Sequence, residues 1–136
     1  MTEQADQAIR LARLEQRVVE LEAEADIRRI QARYMFLCDT PCPEHGITDD
    51  AMRIDRIMDL YTEDAIWEGV GEYYNNQFGR CEGKAAIRSH FHSFWGEKCD
   101  PALLLTAHYL TSEQILAHGD EAYGQRIHCQ PWIFCD

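Results

Sequence analysis

A regular apolar stripe runs through the N-terminal part of the chain. Between Ala5 and Cys38 there is neither Gly nor Pro, and apolar residues recur every three or four positions, which predicts helix. We expect the first half of the stripe to pack against a neighbouring element or a partner chain, as a coiled-coil seam does, and the second half to pack on the sheet of its own domain. One bent helix and two helices satisfy the pattern equally well. The two halves, which differ in phase, are Leu11, Leu14, Val18, Leu21 and Ala25, and then Ile27, Ile30, Tyr34 and Leu37.

Proline ends this helix at Thr40–Pro43, because Pro lacks a backbone donor and restricts the residue before it. Thr48 is the predicted N-cap of a second helix, from Asp50 to Tyr61. Two short strands, a third helix and a long hairpin follow, and together they predict an α+β fold with a curved, mostly antiparallel sheet wrapped around helices. Their expected bounds are Ala65–Val70, Phe78–Cys81, Lys84–Trp95, and Ala102–Leu116 joined through the turn at 118–120 to Glu121–Cys135.

Composition narrows the classes of partner. The chain has 136 residues, which is typical of one domain, and a formal net charge of -11. Such an acidic protein is a poor ligand for nucleic acid or an anionic membrane surface, because both require an excess of Lys and Arg. The segment from Met1 to Gln7 is polar and unlike a secretory signal, so we expect a cytoplasmic protein. Its six cysteines should then be reduced and should pack as small apolar side chains.

Metal-binding patterns are weak. Cys38, Cys42 and His45 lie close in sequence, but they form no CxxC pair and a fourth ligand would have to come from elsewhere. His90 and His92 are two residues apart, so on a helix they would not face each other. We therefore expect no metal site and no cofactor.

Two residues stand in positions that each require a partner. His108 lies in the middle of the predicted long strand, on one face with Leu104, Thr106, Leu110 and Ser112, and a histidine among apolar neighbours is costly to bury alone. Asp39 follows the C-terminal end of the first helix, where the helix dipole disfavours a carboxylate. A pair between His108 and Asp39 would solve both problems and create a general base. The alternative is a core histidine bonded to a backbone carbonyl.

Four segments of the chain stand out, and in order they are Ile27–Tyr34, Leu60–Trp67, Gly79–Ile87 and Ala107–Tyr109. In this order and spacing they resemble the SnoaL-like family of the NTF2-like superfamily. The resemblance implies an NTF2-like cone as the fold, with residues 22–136 as the domain and residues 1–21 as an N-terminal helical extension. It also implies two strands beyond the one that finishes near Phe134. The chain stops at Asp136, before these strands, which would leave an apolar edge strand exposed. We expect one of three explanations: the sequence is cut short there, a partner subunit covers the edge strand, or the protein is a reduced member that has lost activity.

Within that family the chain looks most similar to scytalone dehydratase, bile acid 7α-dehydratase and hexachlorocyclohexane dehydrochlorinase. These enzymes share a His–Asp dyad in a mostly apolar pocket, and His108 and Asp39 match the dyad positions. Tyr34, five residues before Asp39, matches a tyrosine of the bile acid enzyme. The other residues that the resemblance places in a substrate site, or that are candidates for its apolar wall, are His128, Trp67, Tyr61, Phe36, Leu110 and Trp132.

The implied activity is a cofactor-independent elimination or isomerisation of a small apolar cyclic molecule. His108 would remove a proton from carbon, Asp39 would stabilise the imidazolium, and Tyr34 would hydrogen-bond the leaving oxygen or a carbonyl. Two alternatives remain: a non-catalytic protein of the same fold that binds a small ligand, and an oligomer built on the N-terminal helix. Family members often form dimers or trimers, so we expect a homo-oligomer.

Overall fold

The computed structural model describes residues 3–71, 78–96 and 103–135. Within them lie three α-helices, a π-helical turn and six strands, so the predicted α+β class is confirmed. The helices are α1 (Glu3–Cys38), α2 (Asp50–Met58) and α3 (Lys84–Phe91), with the π-helical turn at His92–Gly96. The strands are β1 (Ile66–Glu68), β2 (Arg80–Glu82), β3 (Leu103–Thr106), β4 (Tyr109–His118), β5 (Glu121–Cys129) and β6 (Trp132–Phe134).

The described residues divide into two compact units. The first contains residues 3–33 of α1 and the hairpin β4–β5. The second contains the last turn of α1, α2, α3 and the antiparallel pairs β1–β2 and β3–β6.

In the first unit, polar contacts hold α1 against one face of the hairpin. Arg28 Nε lies 2.8 Å from Glu113 Oε1, and Arg126 Nη2 lies 2.5 Å from the other oxygen of the same carboxylate. A Cβ at Gly124 would meet Gln31 Nε2 at 3.1 Å, so the glycine allows the helix to approach closely. α1 is one continuous helix, which decides between the single-helix and two-helix alternatives.

A β-bulge changes which residues of β4 share a face. Leu110 stands opposite His128, but the next pair is Ser112 opposite Ile127, so the extra residue reverses the alternation after Leu110. Buried Ile115 and the largely buried Glu113 side chain therefore continue the Leu110 face. The prediction that Ser112 shares this face is wrong, because alternation with period two assumes an unbroken ladder.

The second unit has its own apolar core. Leu37, Ile54 and Ile57 are fully buried, together with Met58, Ile87 and Phe91 at 5% exposure or less. Asp49, and not Thr48, caps α2: its Oδ1 accepts from Met52 N at 2.8 Å. The helix also ends earlier than predicted, at Met58.

The long strand predicted over Ala102–Leu116 is interrupted. Ala102 lies outside the described residues, and β3 ends at Thr106 while β4 begins at Tyr109. Between them, the backbone N–H of His108 donates to the Asp39 carboxylate at 3.0 Å instead of to a neighbouring strand. Within the described residues the strands consequently form three antiparallel pairs where one curved sheet is predicted.

The five described cysteines, Cys38, Cys42, Cys81, Cys129 and Cys135, carry free thiols. In the same part of the chain, no helix combines the length and the apolar character that crossing a membrane requires.

Candidate functional site

One carboxylate oxygen of Asp39 makes two contacts with His108. Asp39 Oδ1 lies 2.6 Å from His108 Nδ1 and accepts the backbone N–H of the same residue at 3.0 Å. The His108 side chain is 7% exposed and that of Asp39 is 15% exposed. A carboxylate only accepts hydrogen bonds, so this geometry assigns the proton on the neutral ring to Nδ1. The structure thus brings together the two residues that each needed a partner.

The backbone next to both residues holds the pair in place. Asp39 continues α1 through a hydrogen bond from its N–H to Met35 O at 3.0 Å. One residue further on, Thr40 and Thr106 exchange two backbone hydrogen bonds, of 2.9 and 3.0 Å. This antiparallel bridge joins the end of α1 to the end of β3, one residue from Asp39 and two from His108. It brings together the two backbone segments that carry the side chains of the dyad.

Arg53 is a buried polar residue beside this bridge that sequence reasoning missed. Its guanidinium Nη1 donates to Thr40 Oγ1 at 3.2 Å, and its Nε lies 3.4 Å from Asp50 Oδ1. The guanidinium carbon lies 5.2 Å from the centre of the Trp95 ring, within range of a cation–π interaction. One feature of the sequence does indicate this role. Arg53 stands next to Ile54 on the buried side of α2, where a cation must be paired.

Thr106 links the bridge to the segment that precedes β6. Its side-chain Oγ1 accepts from Gln130 Nε2 at 3.2 Å, and the residue itself is 1% exposed. Trp132 stands opposite Thr106 in the β3–β6 pair, so this predicted wall residue lies on the strand that pairs with β3, which ends two residues before His108.

Tyr34, Tyr61 and Trp67 form a second group in this unit. The rings of Tyr34 and Tyr61 meet edge to face at 6.2 Å between centroids. Tyr34 shares side-chain hydrogen bonds with Tyr61 and Trp67, and the indole N–H can only donate. Three of the residues predicted for the substrate site are therefore joined in one cluster, which packs against the core of the unit.

Burial keeps the acidic groups of this cluster protonated. It raises the pKa of Tyr34 well above the ordinary value and the pKa of Tyr61 to about 12. It also raises the pKa of the Cys38 thiol to about 12. Desolvation disfavours each anion, so at neutral pH these groups are neutral and act only through hydrogen bonds.

His90, on α3, lies against Trp67. The two ring centroids are 4.5 Å apart with the planes tilted by 35°, and Phe78 approaches the same imidazole at 6.3 Å. Partial burial lowers the pKa of His90, because a charged imidazolium would lose solvation there. The sequence pattern indicates His90 only as a possible metal ligand and not as part of this aromatic group.

The remaining predicted residues are divided between the two units. Phe36 belongs to the second unit and is 56% exposed. Leu110 and His128 face each other in the hairpin of the first unit. Their role at a substrate site stays a prediction. No group of three or more His, Cys, Asp or Glu among the described residues is arranged to hold a metal ion.

Comparison with known proteins gives one match. The family model of the SnoaL-like domain matches residues 19–134, which is most of the chain. Searches of the curated proteins and of the solved structures gave no match.

Proposed function

Because this chain belongs to the SnoaL-like domain family, we propose that it is a cofactor-independent lyase or isomerase that uses Asp39 and His108 as a catalytic dyad. The observation that carries the proposal is the 2.6 Å separation between Asp39 Oδ1 and His108 Nδ1. A buried histidine oriented by a carboxylate is the arrangement expected of a general base. The family itself includes polyketide cyclases, isomerases and dehydratases.

The proposed step begins with proton removal from carbon. With the Nδ1 proton directed to Asp39, Nε2 of His108 takes the proton from a carbon next to a carbonyl, and the C–H electron pair moves into an enolate. In an elimination that pair expels the leaving group from the neighbouring carbon, and His108 returns its proton to the leaving oxygen. In an isomerisation the proton returns to a different carbon. Asp39 stabilises the imidazolium throughout.

Tyr34 is proposed as the hydrogen-bond donor to the leaving oxygen or carbonyl. Its phenol is neutral at neutral pH, and a neutral phenol donates where a phenolate would repel the developing negative charge. Trp67 and Tyr61 adjoin it, and with Phe36, Leu110, Trp132 and His128 they are the proposed contacts of the substrate. We propose a small apolar cyclic substrate, since a net charge of -11 disfavours an anion.

A proton-exchange assay tests this function. Monocyclic and bicyclic ketones, and their β-hydroxy derivatives, are incubated with the protein in D2O and followed by proton NMR. We expect faster loss of the α-proton signal, or loss of water from the β-hydroxy compounds, for at least one ring size. His108→Gln should abolish that rate. His92→Gln is the matched control, because His92 is exposed and the substitution is the same.

A non-catalytic binding protein gives a different result. In that case a cyclic ligand binds equally well to the wild type and to His108→Gln, and neither protein accelerates exchange. Exchange that persists in His108→Gln would also contradict the dyad.

We propose that the protein is a homo-oligomer and that it resides in the cytoplasm. The free thiols of the five described cysteines support a reducing compartment.

A further inference from the structure

The N-terminal half of α1 exposes an apolar stripe. Leu11, Leu14, Val18 and Leu21 are 56%, 48%, 52% and 58% exposed. The spacing of three, four and three residues places all four on one side of the helix. A contiguous apolar stripe of this kind marks a surface that binds a partner.

The hairpin of the same unit contacts a different side of α1. His118 Nδ1, at the end of β4, lies 2.9 Å from Glu20 Oε1, and Glu113 binds Arg28. In a heptad assignment that puts Leu11 and Val18 at a and Leu14 and Leu21 at d, Glu20 falls at c, outside the seam. The hairpin therefore leaves the a and d positions of this segment open.

The charges beside the stripe specify the orientation of a partner helix. Arg10 and Arg17 occupy the g positions, and Glu15 and Glu22 occupy the e positions. In a parallel pair of identical helices, each g residue faces the e residue five positions later on the partner. Arg10 then meets Glu15 and Arg17 meets Glu22, always with opposite charge. An antiparallel pair would set g against g and e against e, so like charges would meet.

We propose that the segment from Arg10 to Glu22 forms a parallel, in-register, two-stranded coiled coil with the same segment of a second copy of this chain. Of the two a positions, Val18 is β-branched, and a β-branched residue at a with leucine at d favours two strands. The seam ends near Leu21, since beyond it Arg28, at the next d position, bonds to the chain's own hairpin. This interface is independent of the catalytic proposal, because none of its residues belongs to the dyad or to the proposed substrate contacts.

Sedimentation equilibrium of the full chain tests the interface through Arg17. The wild type should show a reversible monomer–dimer equilibrium. Arg17→Glu places two like-charged pairs in the seam, so we expect the dimer Kd to rise about tenfold. Arg13→Glu makes the same change four residues away at an outward c position and should leave Kd unchanged. The double variant Arg17→Glu, Glu22→Arg restores opposite charges in the parallel pair and should recover dimerisation.

The rescue is specific to contacts between chains, because residues five apart on one helix are not neighbours. Helix content by circular dichroism must match across the variants, which separates loss of association from loss of the helix. A wild type that stays monomeric, a trimer, or an Arg17→Glu variant that associates like the wild type would each overturn the proposal.

Discussion

Asp39 Oδ1 binds both the ring and the main chain of His108, at 2.6 Å to Nδ1 and 3.0 Å to the backbone N. The orientation of the imidazole is thereby coupled to the gap between β3 and β4. A backbone donor that would continue a strand is instead directed to a side chain. This local loss of sheet structure is what we expect where the chain positions a functional group.

Replacing Asp39 with Asn should remove most of the catalytic rate. The amide oxygen can still accept the backbone N–H of His108, but the amide cannot stabilise an imidazolium as a carboxylate does. We expect kcat to fall about 10²–10⁴-fold in the proton-exchange assay. Asp59→Asn is the matched control, because the Asp59 side chain is 61% exposed at the surface. Equal rates for Asp39→Asn and the wild type would mean that the carboxylate takes no part in the chemistry.

Arg53 should contribute to stability through the Thr40–Thr106 bridge. Arg53→Met keeps an apolar stem but removes the bond to Thr40 and the contact with Trp95, so we expect a loss of about 1–3 kcal/mol in the free energy of unfolding. Arg56→Met, on the same helix with its side chain 52% exposed, should change it by less than about 0.5 kcal/mol. Urea denaturation of both variants measures the difference. Similar losses of unfolding free energy in Arg53→Met and Arg56→Met would show that the buried contacts of Arg53 add no stability.

Tyr61 should make the fold sensitive to alkali. Its pKa rises from the ordinary 10.0 to about 12 on folding, so between these values the folded state holds a proton that the unfolded state has lost. Stability therefore falls as pH rises from 10.0 towards about 12. In Tyr61→Phe this part of the loss disappears, and urea midpoints across that range should decline less steeply than in the wild type. Tyr123→Phe removes an exposed tyrosine, and its urea midpoint should decline with pH as that of the wild type does. If the midpoint of Tyr61→Phe declines equally steeply, the pKa of Tyr61 does not rise on folding.

His90 should make the stability of the fold sensitive to acid. Burial lowers its pKa below the ordinary 6.5, so on acidification the unfolded state takes up a proton before the folded state does. Stability is then complete above 6.5 and falls as the pH drops through the folded-state value. His90→Phe keeps an aromatic ring against Trp67 without a titrating group and should flatten this acid limb. His92→Gln, at an exposed position, is the control and should leave the loss of stability at low pH unchanged. If His90→Phe also leaves it unchanged, other groups cause the loss.

Local pattern was enough to predict much of the fold. The run without Gly or Pro before Cys38 gave α1 within two residues at its start, because helix propensity and apolar spacing act over short distances. The strand break at His108 was not predictable in this way, since its cause is a bond to Asp39, 69 residues away in sequence. The bulge after Leu110 is likewise set by pairing with β5 and not by the sequence of β4.

The candidate site was predictable only at positions where the sequence puts a polar side chain in an environment that is unfavourable without a partner. Asp39 at a helix C-terminus and His108 among apolar neighbours each required a partner, and that need pointed to the pair. Arg53 is not predicted as buried because the periodicity of α2 identifies the buried face by its apolar residues alone. The bonds that join Tyr34 to Tyr61 and Trp67 depend on how three separate elements pack, which no spacing along the chain encodes.

The protonation of the His108 ring tests the central proposal most directly. Nitrogen-15 NMR of histidine-labelled protein at neutral pH distinguishes a proton on Nδ1 from one on Nε2. We expect His108 to carry its proton on Nδ1, bonded to Asp39, and to lose this preference in Asp39→Ala, which removes the acceptor. A proton on Nε2 in the wild type would leave that nitrogen unable to take a proton from a substrate and would contradict the role of His108 as general base.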